Sequence, residues 1–133
     1  MAKPVPIGTR AEVERRVEFQ NTLSAWKPDL PPVLSTPYMI GWMEAAGFEA
    51  LLPFCEEGEV TVGTAINVNH RAPTGIGALV KCEAILESIN GRFLTFRVTA
   101  NNGKEVIGYG TIGRAFVNVS KFREKHESPA QAK

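Results

Sequence analysis

Three side chains in this sequence have the types and placement that catalysis needs, namely Thr36, Glu44 and His70. Glu44 lies in an otherwise apolar segment, and an isolated carboxylate in a dry place is usually paired, protonated or used in chemistry. Thr36 stands where that segment would begin as a helix, whose free N–H groups suit a developing oxyanion. His70 ends a β-rich segment and titrates near neutral pH. Together they indicate proton transfer beside a bound oxyanion.

Each of these residues also has a structural interpretation. Thr36 can be a plain helix cap, and His70 can be a hydrogen-bonded structural histidine. Glu44 can be one end of a buried ion pair, with Arg71 or Arg114 as its partner. Eight residues of helix turn the chain by about 800°, so Glu44 points within about 80° of Thr36. The two can border one cleft without being stacked neighbours.

The apolar segment is predicted to be a long helix. Ser35 or Thr36 can cap it, Pro37 suits its first position, and Pro53 stops it after about Leu52. Apolar residues occupy most of its circumference, which predicts burial on nearly all sides.

β-rich segments lie on both sides of this helix. Two of them alternate apolar and polar residues, and the pairs Asn90-Gly91 and Asn102-Gly103 are typical of hairpin turns. The last four strands are expected to form a meander. The predicted strands are residues 11–20, 59–70, 78–89, 92–101 and 104–119.

The remaining segments are predicted to be irregular. Residues 21–35 contain three prolines, and loops of this length are often lids or binding segments. Residues 1–10 and 124–133 are expected to be loosely ordered.

One helix against one antiparallel sheet is an α+β architecture. A single sheet wrapped on an apolar helix is the hotdog arrangement. We therefore predict one hotdog domain over residues 1–133, with one long buried helix wrapped by a five-stranded antiparallel sheet. By analogy with that fold, a homodimer that extends the sheet across two subunits is expected.

Composition narrows the possible partners. The formal net charge of +1 argues against nucleic acid or a membrane surface as a partner held by bulk attraction. No stretch approaches the roughly 20 apolar residues that span a bilayer, and the N-terminus lacks a signal-peptide core. Two cysteines and two histidines give neither a disulfide framework nor a zinc spacing. A cytoplasmic, metal-free protein is expected.

Three segments, which follow one another in the order and at the spacing of the family, resemble the fluoroacetyl-CoA thioesterase-like family of hotdog thioesterases. Residues 36–44 match the helix pattern T-x-x-M-x-G-x-M-E, and residues 63–70 match the strand pattern G-T-A-x-x-V-x-H. A third family segment matches residues 110–115. The resemblance covers roughly residues 33–125.

The resemblance implies a role for each matching residue. Thr36, Glu44 and His70 fall on the family's catalytic threonine, glutamate and histidine. Gly63 falls on a glycine that lines the acyl pocket, and Arg114 on an arginine near the acyl group.

The implied reaction is hydrolysis of an acyl-CoA, with CoA as part of the substrate and no separate cofactor. Glu44 would attack the thioester carbonyl or activate water, and His70 would move a proton. Arg71, Lys121 and Arg123 are candidates to bind the CoA phosphates.

Acyl selectivity is expected to depend on residues 21–35. The fluoroacetyl-specific member has phenylalanines there, whereas this chain offers Leu30 and Val33, with Trp26 and Leu34 beside them. The predicted function is a thioesterase for small or short-chain acyl-CoA. The alternatives are a non-catalytic acyl-CoA-binding or sensor protein on the same fold, and a structural dimer module. An enoyl-CoA hydratase is disfavoured because its usual Asp–His motif is absent.

Overall fold

The computed structural model describes residues 4–127. Two 3₁₀ turns, Phe19–Asn21 and Leu52–Phe54, accompany the regular elements. In chain order these elements are β1 Arg10–Arg16, α1 Leu23–Trp26, α2 Thr36–Leu51, β2 Glu59–His70, β3 Leu79–Asn90, β4 Phe93–Asn101, β5 Val106–Asn118 and α3 Val119–His126.

All five strands form one antiparallel sheet in the order β1-β3-β4-β5-β2. The predicted α+β architecture of one long helix on a five-stranded sheet is confirmed. The predicted four-strand meander is wrong for β2, which pairs with β5 at an edge of the sheet. Residues 71–78 link β2 to β3, and this link is too long for a tight hairpin. It therefore allows the chain to cross to the far side of the sheet before β3 begins.

Helix α2 packs one face on the sheet and leaves the other face uncovered in the single chain. The buried face has helical spacing, with Met39, Met43, Ala46 and Ala50 almost fully inaccessible. On the other side Tyr38 is 43% exposed. The prediction of burial on nearly all sides is therefore wrong for one subunit, because the sheet covers only one side of the helix.

The ends of α2 differ from the sequence prediction. Ser35 is the N-cap residue but makes no side-chain capping bond, and Thr36 is the first helical residue. Pro37 therefore occupies the second position, where its missing N–H would have no intrahelical partner in any case. At the other end the α-helix stops at Leu51, and Pro53 lies within the following 3₁₀ turn.

Segments predicted to be irregular are partly ordered. Val5 is buried, and the Gly8 N–H donates to the Leu86 carbonyl at 2.9 Å, which anchors residues 4–10 on the sheet. Residues 124–126 belong to α3, whose first turn is capped by the Asn118 side chain. These findings correct the expected loose order of residues 1–10 and 124–133 within the described range. Residues 1–3 and 128–133 lie outside it.

The segment 21–35 is a compact loop rather than a wholly irregular one. It contains α1, and its two ends are joined by hydrogen bonds from the Leu23 N–H to the Val33 carbonyl and from the Ser35 N–H to the Asn21 carbonyl, at 3.0 and 2.9 Å. The three prolines excluded a long helix but not the four-residue turn Leu23–Trp26 that precedes them.

The core lies between α2 and the inner face of the sheet. The alternation predicted for β3 and β4 is confirmed, since every second residue is buried from Val80 to Leu86 in β3 and from Leu94 to Ala100 in β4. Among residues 4–127 no helix is long and apolar enough to cross a membrane. The inward residues of these strands are Val80, Cys82, Ala84, Leu86, Leu94, Phe96, Val98 and Ala100.

Candidate active site

The first turn of α2 meets the end of β2 through two of the predicted catalytic residues. Thr36 Oγ1 and His70 Nδ1 lie 2.8 Å apart and share a hydrogen bond. The Thr36 hydroxyl is therefore used to contact the histidine, and the interpretation of Thr36 as a plain helix cap is wrong. A hydroxyl and an imidazole at a helix N-terminus are a suitable pair for polarising a carbonyl and moving a proton.

The surroundings of His70 favour its neutral form. Burial lowers the pKa of His70 from its ordinary 6.5, against a smaller raising contribution from the backbone of Ala72. A neutral imidazole can accept a proton at pH 7. Its Nε2 atom is buried and has no hydrogen-bond partner among residues 4–127. A buried polar atom without a partner is unusual and is typical of functional sites.

A cavity of about 260 Å³ lies beside this pair. Val33 and Arg71, both predicted to contact substrate, line it together with Leu23. Leu30 does not line it. The Leu30 carbonyl instead accepts a hydrogen bond from the Ser24 hydroxyl within the loop.

Glu44 occupies a second part of the site, against β2. Its side chain is 32% exposed, so the sequence expectation of a carboxylate in a dry place is wrong for the single chain. A Cβ added at Gly63 would lie 3.1 Å from Glu44 Cδ and closer still to one carboxylate oxygen, so any other residue here would displace the Glu44 carboxylate. The β2–β5 register shifts between Gly63 and Ala65, and bulges of this kind are frequent beside active sites.

Arg114 is a buried residue that contacts both Thr61 and Glu44. It is only 5% exposed, and it donates from Nε to Thr61 Oγ1 at 3.0 Å and from Nη2 to the Thr61 carbonyl at 2.8 Å. Nη1 lies 3.9 Å from Glu44 Oε2, which identifies Arg114 as the ion-pair partner. The alternative, Arg71, donates instead to the Tyr109 hydroxyl at 2.9 Å. Burial lowers the pKa of Arg114 and the Glu44 carboxylate opposes this shift.

Arg114→Lys is expected to lower the free energy of unfolding by about 2–3 kcal/mol, because an ammonium cannot reproduce the guanidinium fork that binds Thr61. The matched control is Arg97→Lys. Arg97 is largely exposed and pairs with Glu87 at 3.5 Å, so we expect a cost below about 1 kcal/mol. Urea denaturation of both variants checks this, and equal costs would contradict a structural role for the buried guanidinium.

The predicted residues are brought together in two groups within one chain. Thr36 and His70 form the first group, and Glu44, Gly63 and Arg114 form the second. Eight helical residues separate the groups by about 12 Å along α2. Among residues 4–127 no hydrogen bond or ion pair joins Glu44 to Thr36 or His70.

The candidates for CoA phosphate binding are also divided. Arg71 lies at the cavity beside His70. Lys121 and Arg123 are on α3, which follows the end of β5 that pairs with the start of β2, so they lie at the opposite end of the sheet from His70. Within residues 4–127 no cluster of three or more His, Cys, Asp or Glu side chains could hold a metal ion.

Sequence reasoning missed Thr61 and Tyr109. Neither type carries a chemical signal alone, and their importance comes from the arginines that they hold. The signal available for Thr61 was its position two residues before Gly63, which puts it on the same face of β2.

A single antiparallel sheet around a central helix, with a threonine–histidine pair at the helix N-terminus and a glutamate further along, defines a hotdog-fold thioesterase. The family model "Fluoroacetyl-CoA-specific thioesterase" matches residues 17–120. The fluoroacetyl-CoA thioesterase of Streptantibioticus cattleyicolor is 43% identical over 97 residues, which are 73% of this chain and 70% of that protein. The chain therefore belongs to the fluoroacetyl-CoA-specific thioesterase family.

Solved structures agree with this assignment. A solved structure of a fluoroacetyl-CoA thioesterase superposes with a TM-score of 0.88 at 36% identity, covering 94% of this chain and 97% of that chain. A Thermus thermophilus member of the thioesterase superfamily gives a TM-score of 0.86 at 31% identity, covering 98% and 99%. The predicted hotdog fold and thioester hydrolase class are confirmed.

Proposed function

We propose that the substrate of this thioesterase is a small or short-chain acyl-CoA, hydrolysed to the free acid and CoA by Thr36, His70 and Glu44. The observation that carries this proposal is the hydrogen bond between Thr36 and His70 beside a 260 Å³ cavity at the start of α2. The His70 Nε2 atom, which has no partner in the described chain, supports this proposal further, because a purely structural histidine usually has partners for both ring nitrogens.

The carbonyl oxygen of the thioester is placed at the N-terminus of α2. There the N–H groups of Thr36 and Tyr38 lack intrahelical partners, whereas Pro37 has no N–H. These donors and the positive end of the helix dipole stabilise the oxyanion that forms as the carbonyl is attacked. His70 is neutral when the reaction starts, so it first accepts a proton released by the attacking water and then donates that proton to the leaving thiolate. General acid–base help of this kind contributes about 10²–10⁴-fold.

Glu44 supplies the attack on the carbonyl carbon. Its carboxylate either takes a proton from water as the water oxygen adds, or adds directly to form an anhydride that water then hydrolyses. In both routes the C–S bond breaks, one water is consumed, and CoA leaves with a proton on sulfur. Arg114 Nη1 lies 3.9 Å from Glu44 Oε2, a distance longer than a hydrogen bond, so the Glu44 carboxylate oxygens stay free to react.

We further propose a homodimer in which Glu44 of one subunit acts with Thr36 and His70 of the other. The two groups are about 12 Å apart along α2 in one chain. β2 is a sheet edge, and residues 63–67 on it are exposed. An antiparallel pair of β2 strands centred between Ile66 and Asn67 puts Gly63 of one strand opposite His70 of the other. Because Glu44 lies against Gly63, the partner's Glu44 would approach His70.

A mixing experiment tests this composite site. Glu44→Gln and His70→Gln chains are each expected to be nearly inactive, and a heterodimer of the two has one site with both residues intact. Random mixing should therefore restore about a quarter of wild-type kcat, since general acid–base groups must meet in one site. Light scattering should give about 29 kDa, twice the 14.5 kDa chain. No recovery in a confirmed heterodimer would contradict the composite site.

Release of free thiol from a panel of acyl-CoAs tests the function itself. The panel runs from acetyl and fluoroacetyl to butanoyl, hexanoyl and benzoyl esters. Turnover of a short-chain member is the expected result. Binding of acyl-CoA without turnover of any member would favour the sensor alternative instead.

A further inference from the structure

An apolar groove of about 530 Å³ lies between α1 and the first turn of α2. Trp26 and Tyr38 form much of its wall, and they are 79% and 43% exposed in the single chain. Ala25 and Pro37 add further apolar surface. Exposed aromatic surface that is gathered in one groove marks a binding site more often than a solvated face.

The groove is continuous with the candidate active site. Leu23 lines both the groove and the cavity that contains Thr36 and His70. Ser35 and Pro37, the chain neighbours of Thr36, also line the groove. The groove therefore lies within one residue of Thr36, at the helix N-terminus that is proposed to bind the thioester carbonyl, and Leu23 is shared by the groove and the cavity.

We propose that this groove binds the hydrocarbon tail of the acyl group. This inference rests on the proposed function and narrows its substrate class to acyl-CoAs with an apolar chain, such as butanoyl or hexanoyl, rather than acetyl. The cavity of 260 Å³ holds the reacting thioester, and the tail passes Leu23 into the groove.

The chemistry of the groove favours a hydrocarbon over the pantetheine arm of CoA. Pantetheine carries two amides, and burying an amide without a hydrogen-bond partner is costly. The surface of the groove is mainly apolar, although Gln20, Ser35 and the Tyr38 hydroxyl also belong to residues that line it. The Thr22 hydroxyl already donates to the Phe19 carbonyl at 2.7 Å. A hydrocarbon tail needs no partners there, and it covers the exposed faces of Trp26 and Tyr38.

Leu23 is a suitable position at which to change the groove without unfolding the loop. Its backbone N–H donates to the Val33 carbonyl at 3.0 Å, and this bond does not depend on the side chain. Leu23→Phe should fill the opening between cavity and groove. Trp26→Ala should remove the far wall, and its high exposure makes the substitution mild for folding.

The test measures kcat/KM for acetyl-, butanoyl- and hexanoyl-CoA in wild type and both variants. Each methylene buried in the groove is expected to raise kcat/KM of wild type by about fourfold. Leu23→Phe and Trp26→Ala should each lower the hexanoyl-to-acetyl ratio by about tenfold. The matched control is Phe19→Ala, which removes another exposed aromatic near α1 that does not line the groove, and it should leave the ratio unchanged.

The outcomes separate this inference from the function on which it rests. Hydrolysis with the same chain-length ratio in all variants would overturn the inference and leave the thioesterase function intact. If Trp26→Ala has the mass of a monomer but keeps the hexanoyl-to-acetyl ratio of kcat/KM, the groove binds a second copy of the chain. That result would also overturn the inference. If the wild-type protein hydrolyses no acyl-CoA, that result would instead contradict the proposed function.

Discussion

Glu44→Gln is expected to lower kcat for acyl-CoA hydrolysis by about 10²–10⁴-fold. Glutamine has the same shape, so it can keep its place against Gly63, but its amide neither accepts a proton at neutral pH nor attacks a thioester. Some loss of stability is expected as well, because the buried Arg114 guanidinium loses its acidic partner, but Arg114 keeps both hydrogen bonds to Thr61. Free-thiol release at saturating substrate gives kcat, and thermal unfolding checks the fold.

Glu49→Gln is the matched control for this substitution. Glu49 lies on the same helix, is exposed, and makes the same change from carboxylate to amide. Its kcat should stay within about twofold of wild type, as for surface substitutions in general. Wild-type kcat in Glu44→Gln would mean that Glu44 serves only as the partner of Arg114, and the proposed mechanism would then lose its nucleophile or base.

The parts of the fold that depend on local periodicity could be predicted from the sequence. β3 and β4 alternate apolar and polar residues, and their buried faces followed from that alternation. The existence of α2 was also predicted, but its buried face was not, because apolar residues occur around most of its circumference. Strand pairing across the sheet could not be derived in the same way. β2 is adjacent to β3 in sequence but pairs with β5, and that choice depends on the long link of residues 71–78 and on tertiary packing.

The candidate site was predictable by residue type more than by geometry. The contact between Thr36 and His70 joins residues that are 34 positions apart. Their types and the resemblance to a known family suggested a shared site, but neither could predict this hydrogen bond. Helical rotation placed Glu44 near the direction of Thr36, but it could not show that Arg114 holds Glu44 in another part of the site. The cytoplasmic location and the homodimer stay predictions, because they concern surroundings that one chain does not contain.

Acidification is expected to switch off hydrolysis as His70 becomes protonated, with a midpoint below pH 6.5. Burial lowers the pKa of His70, so the neutral proton acceptor persists to a lower pH than in a free histidine. A profile of kcat/KM against pH should be flat near pH 7 and should fall about tenfold per pH unit below the midpoint. His70→Gln should lose about 10²–10⁴-fold in kcat at pH 7 and should also lose this acid limb.

His126→Gln is the control, because His70 and His126 are the two histidines of the chain and His126 lies exposed on α3, against the Phe122 ring. It should keep both the rate and the acid limb.

A stability measurement gives an independent readout. A histidine whose pKa is lower in the folded than in the unfolded chain stabilises the fold above pH 6.5, and this contribution is lost as pH falls through the folded pKa. Urea denaturation of wild type should show that loss, whereas His70→Gln should not. An acid limb that survives in His70→Gln would assign the titration to another group and would leave His70 with a structural role beside Thr36.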